Sequence, residues 1–195
     1  QESARVTLME SWDCIVELMD DSDSQSNFDA ATANADAAYI SAEISALELD
    51  TKLRAATIGV VNERIELTVV FGFGEVFDSG VRDVAEVVDN THYITSPFSV
   101  GSLTLFSPSQ PVHWRESVGT SDALTLCETN STGGVYKPSL ATLKPGDLLW
   151  DGGTASGRRV QLPWGADGFD FNSLNSEGQT LMKRAIEWAA NQEQP

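Results

Sequence analysis

Apolar positions recur along this chain with two periods, and the order of those periods predicts its architecture. Ala4, Leu8 and Trp12 stand four residues apart, so Ala4 to Trp12 reads as a first helix. Cys14-Ile15-Val16-Glu17-Leu18-Met19 is a short apolar run with strand character, closed by the acidic, serine-rich loop Asp20 to Ser26. Asn27 or Asp29 can cap a short helix through Ala33. Ala35 to Ser41 reads as a second strand with little polarity, as expected when both faces are covered. A helical stretch follows around Leu47 to Leu53. The strand Thr57 to Val61 then runs into a helix predicted to begin near Asn62. This alternation predicts an α/β fold with a mostly parallel, doubly wound, flavodoxin-like sheet.

The middle, from about Phe73 to Lys144, has a different rhythm. Gly, Pro and Thr punctuate short β-rich pieces such as His92–Ile94, Ser102–Phe106 and Ala123–Glu128, which read as hairpins and extra strands. Arg158 to Leu162 is a further strand, ended by Pro163-Trp164-Gly165. The final helix opens on Ser176-Glu177-Gly178-Gln179, which fits a capping box. Leu181, Met182, Ala185, Ile186, Trp188 and Ala189 form its apolar face, with Lys183, Arg184 and Glu187 turned outward.

A length of 195 residues suits one domain, and 41% hydrophobic with 21% charged residues is globular composition. The expectation is one α/β domain over residues 1–195, either a mature form or a piece of a larger protein. A net charge of −17 argues against nucleic acid, which needs clustered Lys and Arg, and against an anionic membrane surface. It suits the solvated acidic surface common in secreted, marine or halophilic proteins, or else cation binding or a basic partner. No apolar run approaches the roughly 20 residues that span a bilayer, so no membrane insertion is expected. Gln1-Glu2-Ser3 lacks the basic start and apolar core of a signal peptide. Cys14 and Cys127 lie in apolar contexts that favour buried free thiols; a disulfide depends on their geometry.

The turn Ile58-Gly59-Val60-Val61-Asn62-Glu63 is the position where many α/β enzymes mount a nucleophile, yet it holds no Ser or Cys. Asp36 to Glu63, Asn90-Thr91-His92-Tyr93-Ile94-Thr95 and Gly157 to Ala190 together resemble the class I glutamine amidotransferase-like fold. Within it they look most like the trehalose-utilisation (ThuA-like) branch, whose His-Pro-Ile-Thr segment is similar to His92-Tyr93-Ile94-Thr95. The resemblance implies a catalytic Cys in a Gly-Ile-Cys-x-Gly turn, where Gly59-Val60-Val61-Asn62-Glu63 places valine. It also implies His and Glu after the last strand, where Gln161-Leu162-Pro163-Trp164-Gly165 has neither. Without nucleophile and base, amidotransferase or cysteine-hydrolase chemistry is not expected, and no catalytic residue is assigned. The same fold opens with a central strand ahead of its first helix, a strand without a counterpart in this sequence. A neighbouring chain can supply such a strand by addition to the sheet edge.

Ligand-binding candidates are Glu63 and Asn62 at the turn, and His92. In the loop Asp20 to Asp29, alternating oxygen donors at Asp21, Asp23 and Asp29 suggest a calcium site, although the sixth-position Gly and twelfth-position Glu of an EF-hand are missing. A solvated acidic loop that caps a helix is the competing reading, and no other cofactor is expected. His113-Trp114-Arg115-Glu116 is a lone His-x-x-Glu, too weak to define a metal pair. Neither Gly72-Phe73-Gly74 nor Asp151-Gly152-Gly153 forms a phosphate-binding motif. Asn130-Ser131-Thr132 fits the glycosylation pattern. Trp114, Trp150 and Trp164 pack in a core or, if exposed, stack on sugars. The leading expectation is a non-catalytic binding or assembly module of a secreted or surface bacterial protein, with a protein partner or self-assembly by strand addition. The alternative is a carbohydrate-related enzyme that uses Glu63 with Asp20 or Asp21.

Overall fold

The computed structural model describes residues 1–117 and 121–190. In chain order the elements are α1 (Glu2–Glu10), α2 (Gln25–Thr32), β1 (Ala37–Ile40), α3 (Ala46–Leu49), β2 (Gly59–Asn62), β3 (Val76–Arg82), β4 (Val84–Val87), β5 (Gly101–Thr104), β6 (Gln110–Ser117), β7 (Leu124–Asn130), β8 (Tyr136–Leu143), β9 (Arg159–Gln161) and α4 (Ser176–Ala189). Short 3-10 turns occupy Ile65–Thr68 and Phe171–Ser173.

The main sheet has seven strands in the order β1-β2-β9-β8-β7-β4-β5. Only β1, β2 and β9 run parallel, with Tyr39 opposite Val61 and Val61 opposite Val160. Every other pairing is antiparallel. The fold is therefore mixed α/β, and the expected mostly parallel, doubly wound flavodoxin-like sheet is corrected to a mostly antiparallel one. The physical reason lies in the connections. Parallel neighbours need long crossovers over a sheet face, and between residues 69 and 158 no described α-helix provides one. The β-rich middle instead supplies β8, β7, β4 and β5 to the sheet itself, while β3 and β6 pair as a separate two-stranded ribbon.

Helices cover both faces of the parallel half. Val61 belongs to the cluster under α1 and α4, with Met9, Leu181, Met182 and Trp188. Its neighbour Val60 points the other way, into a cluster with Phe28, Leu49 and Leu53. All four residues of β2 are consequently buried, which is why this strand reads as an unbroken apolar run. α4 packs so closely that a Cβ on Gly59 would lie 2.0 Å from the Ala189 carbonyl oxygen.

Several local expectations are also corrected. Cys14–Met19 joins no strand among the described residues. Its Cys14 and Val16 rest on the core, while Ile15 is fully exposed and Leu18 is 67% exposed. The helix expected at Asn62 is only the 3-10 turn Ile65–Thr68. Arg64 is extended (φ −71°, ψ 116°) and offers no side-chain cap, and β-branched Ile65, Thr68, Val69 and Val70 are poor helix formers. His92–Ile94 is a turn, not a strand. Ser24, one residue before α2, caps that helix by accepting from the Asn27 amide, in place of Asn27 or Asp29. Asn175 caps α4 through the Gly178 amide at 2.9 Å, so the Ser176–Gln179 box does not form; the Ser176 hydroxyl instead donates to Glu177. Both cysteines are free thiols. Among the described residues no helix is long and apolar enough to cross a membrane.

Candidate functional site

The turn after β2 holds one carboxylate, and the fold closes completely around it. Glu63 follows β2 and extends its ladder, its amide donating to the Ile40 carbonyl at 3.0 Å. Its side chain is 0% exposed. Oε2 accepts from Arg5 Nη2 at 2.7 Å, Arg5 Nε at 3.0 Å and the Ala42 amide at 2.9 Å. Oε1 accepts from Trp164 Nε1 at 3.0 Å and from the Tyr39 hydroxyl. Five donors exceed the roughly four lone-pair directions of a carboxylate, so no acceptor position is left for a ligand.

The donors come from four separate places. Arg5 is delivered by α1, Tyr39 by β1, Ala42 by the loop that follows it, and Trp164 by the turn after β9. Gly165 makes the last approach possible. Its φ is +103°, and a Cβ there would stand 2.3 Å from the Glu63 carbonyl oxygen. Arg5 is only 1% exposed, with its guanidinium carbon 4.6 Å from the centroid of the Phe171 ring. Burial works against its charge, but Glu63, then Tyr39 and Glu2, more than offset that effect, so its pKa is raised. The Tyr39 hydroxyl is held well above its ordinary value, first by burial and then by Glu63. Both proton donors are thereby kept as donors. A buried pair of this kind clasps elements together, since removing either member strands a charge in the interior.

Asn62 serves a second internal network. Its amide donates to Gln161 Oε1 at 2.8 Å and to the Arg64 carbonyl at 2.8 Å. Gln161 Nε2 in turn lies 2.7 Å from His113 Nε2. Burial pushes the His113 pKa down to about 3, so the ring stays neutral. His92, the third ligand-binding candidate, joins neither Asn62 nor Glu63. It is half-buried against Trp188, 5.1 Å between ring centroids, with its pKa lowered to about 4 chiefly by burial. The three candidates do not form one site.

The calcium candidates are also dispersed among local tasks. Asp21 accepts from the Ser45 amide, Asp23 from Asn27 Nδ2 at 3.0 Å, and Asp29 from Gln25 Nε2 at 2.8 Å. Among the described residues no three His, Cys, Asp or Glu side chains are grouped to hold a metal. Trp114 and Trp164 are fully buried and Trp150 is half-buried, donating to the Val69 carbonyl at 3.1 Å, so they form no sugar platform. Glu116 accepts from Trp114 Nε1 at 2.6 Å and pairs with Lys137, apart from inward-facing His113.

The opening in this region lies beside β1. Among the described residues β1 pairs on one side only, with β2. Its other side faces a slot of about 670 Å³ that Cys14–Met19 also lines. α1 and α4 close one face with Val6, Met9 and Ile186, while α2 and α3 close the other with Phe28 and Leu49. The segment runs in the same direction as β1. It starts near Glu187, beside the entry of β2, and ends at Asp21, bonded to Ser45 past the exit of β1. Sequence reasoning found Glu63 but missed Arg5, Tyr39 and Trp164, which lie 58, 24 and 101 residues away along the chain.

Comparison with family models, curated proteins and solved structures finds no match to this chain.

Proposed function

We propose that this chain is a non-catalytic binding or assembly module of a secreted or surface bacterial protein, and that it engages its partner by accepting a β-strand. The observation that carries this reading is the slot beside β1, lined by β1, by Cys14–Met19 and by residues of all four α-helices. An added strand satisfies the open backbone groups of β1 and covers Ile15 and Leu18, so backbone hydrogen bonding and apolar burial both favour its entry. The acidic composition supports a secreted or surface setting.

The saturated state of Glu63 supports a structural and not a catalytic use of the turn. Asp20 and Asp21, the proposed partners for carbohydrate chemistry, lie in an exposed loop and bond to Ser22 and Ser45, while Glu63 is enclosed elsewhere. Nothing in their arrangement favours the enzyme alternative. A distant relation to class I glutamine amidotransferase-like domains, the ThuA-like branch included, is supported only by the parallel β1-β2-β9 unit and the turn at Glu63.

Amide hydrogen exchange tests the function. Adding an apolar strand peptide is expected to slow exchange in Ala37–Ile40 and Cys14–Met19 at least tenfold, leaving β7 and β8 unchanged. The double variant Ile15→Lys, Leu18→Lys, altered only at exposed positions, is expected to lose that response. Protection that is equal in the double variant, or spread over the whole molecule, overturns the reading.

A further inference from the structure

Resting on the secreted or surface setting proposed above, we infer that Asn130 is an attachment site for an N-linked glycan, and that the ring of Tyr136 carries the first sugar. The motif and the geometry of one hairpin end support this independently.

Of the eight asparagines in the chain, only Asn130 heads an Asn-x-Ser/Thr tripeptide, Asn130-Ser131-Thr132. A transferase reads the asparagine and the hydroxyl residue two places on, while the middle position excludes only proline. The hairpin between β7 and β8 sorts the three residues accordingly. Asn130, the last residue of β7, and Thr132 are exposed, whereas Ser131 is buried at 6% exposure.

The same hairpin fixes the backbone and leaves the acceptor free. The Ser131 amide donates to the Val135 carbonyl at 2.9 Å, and the Gly134 amide to the Ser131 carbonyl at 3.0 Å. Gly134 closes this turn at φ +75°, which glycine adopts without strain. Arg82 Nε donates to the Asn130 carbonyl at 2.8 Å, tying the hairpin to β3. Among the described residues neither the Asn130 carboxamide nor the Thr132 hydroxyl has a hydrogen-bond partner.

The donor is an oligosaccharide linked through its anomeric carbon to a lipid diphosphate. Asn130 Nδ2 forms a bond to that carbon, and the bond from the carbon to the diphosphate oxygen breaks. The lipid diphosphate leaves, and one Nδ2 proton passes to a base of the transferase. Asn130 retains its second N–H and its carbonyl oxygen.

Tyr136 completes the site. It is the register partner of Asn130 across the hairpin. Directly opposed residues project from one face with Cβ atoms roughly 4.5–5.5 Å apart. Tyr136 is 48% exposed, so a sugar on Nδ2 lies within reach of an open aromatic ring. The C–H face of a sugar complements the electron-rich face of that ring and removes apolar surface from water.

The test takes the full chain from its own source, locates it by cell fractionation and then weighs it. Expected is an exported or surface chain heavier than its polypeptide, returned to the polypeptide mass with Asn130 converted to aspartate by an N-glycan amidase. Asn130→Gln and Thr132→Ala are expected to abolish the added mass, and Ser131→Ala to keep it. C–H protons of the first sugar are expected to show an upfield ring-current shift that Tyr136→Ser removes. An exported chain of unmodified mass overturns this inference and leaves the setting standing. A chain confined to the cytoplasm overturns the setting as well. Sugar that persists in Asn130→Gln lies on another residue and overturns the assignment to Asn130. Unshifted sugar protons overturn the role of Tyr136.

Discussion

Trp164 donates its indole N–H to Glu63 Oε1 at 3.0 Å, joining the turn after β9 to the turn after β2. Both turns are committed to one another. With Arg5, Tyr39 and the Ala42 amide they make an enclosed clasp between α1, β1, β2 and β9, beside the slot.

Substituting the clasp tests its structural weight. Glu63→Gln keeps the shape but leaves the Arg5 guanidinium buried without its counter-charge, which costs about 3–5 kcal/mol when one member of a buried pair is removed. Urea denaturation is expected to show a loss of that order, a similar loss for Arg5→Leu, and a double variant far less destabilised than the sum. Additive losses would show that the pair is not coupled.

Gly165 is the second point of vulnerability. Gly165→Ala places a Cβ at φ +103° and against the Glu63 backbone, so a loss of roughly 1–3 kcal/mol from strain alone is expected, and more from the clash. The near-ultraviolet circular dichroism of Trp164 reports whether the indole has left Glu63.

A buried and a half-buried histidine set an acid limit. His92 and His113 have folded-state pKa values of about 4 and about 3, lowered by burial, against about 6.5 in the unfolded chain. Below pH 6.5 the unfolded state therefore binds more protons. The stability that neutral burial contributes is fully present above that pH and is lost as pH falls toward the folded values. Each ring adds at most about 1.4 kcal/mol per pH unit to the slope. Unfolding free energies at pH 7, 6 and 5 are expected to decline, and His92→Gln to flatten that decline; an unchanged slope contradicts the assignment.

The thiols differ in access. Burial, then Glu86, raises the Cys127 pKa to about 12, while half-buried Cys14 lines the slot and is raised more modestly, again first by burial. Ellman's reagent is expected to modify Cys14 slowly in the native chain and Cys127 only on unfolding. A bound strand is expected to protect Cys14.

The parallel unit and α4 were legible because each buries a continuous or strongly one-sided apolar pattern. β1 and β2 are apolar through Ala37–Ile40 and Gly59–Val61, and α4 carries Leu181, Met182, Ala185 and Trp188 on one face. The antiparallel half was only partly legible. β8 runs from exposed Tyr136 to fully buried Leu143 and mixes periods, and which strand pairs with which depends on contacts far apart in sequence. Glu63 stood out, but its role was not readable because its partners come from four separate places in the chain. A usable signal was Arg5, the one basic residue of α1. Cys14–Met19 misled for a physical reason: its apolar pattern is real, but it pairs with no strand among the described residues.

Hydrogen exchange at β1 with an apolar strand peptide tests the central claim most directly. The account predicts rapid exchange at the open edge of Ala37–Ile40 in the chain alone, and at least tenfold slowing when the peptide saturates, with Cys14–Met19 protected in parallel. Exchange at both segments that is indifferent to the peptide would contradict it.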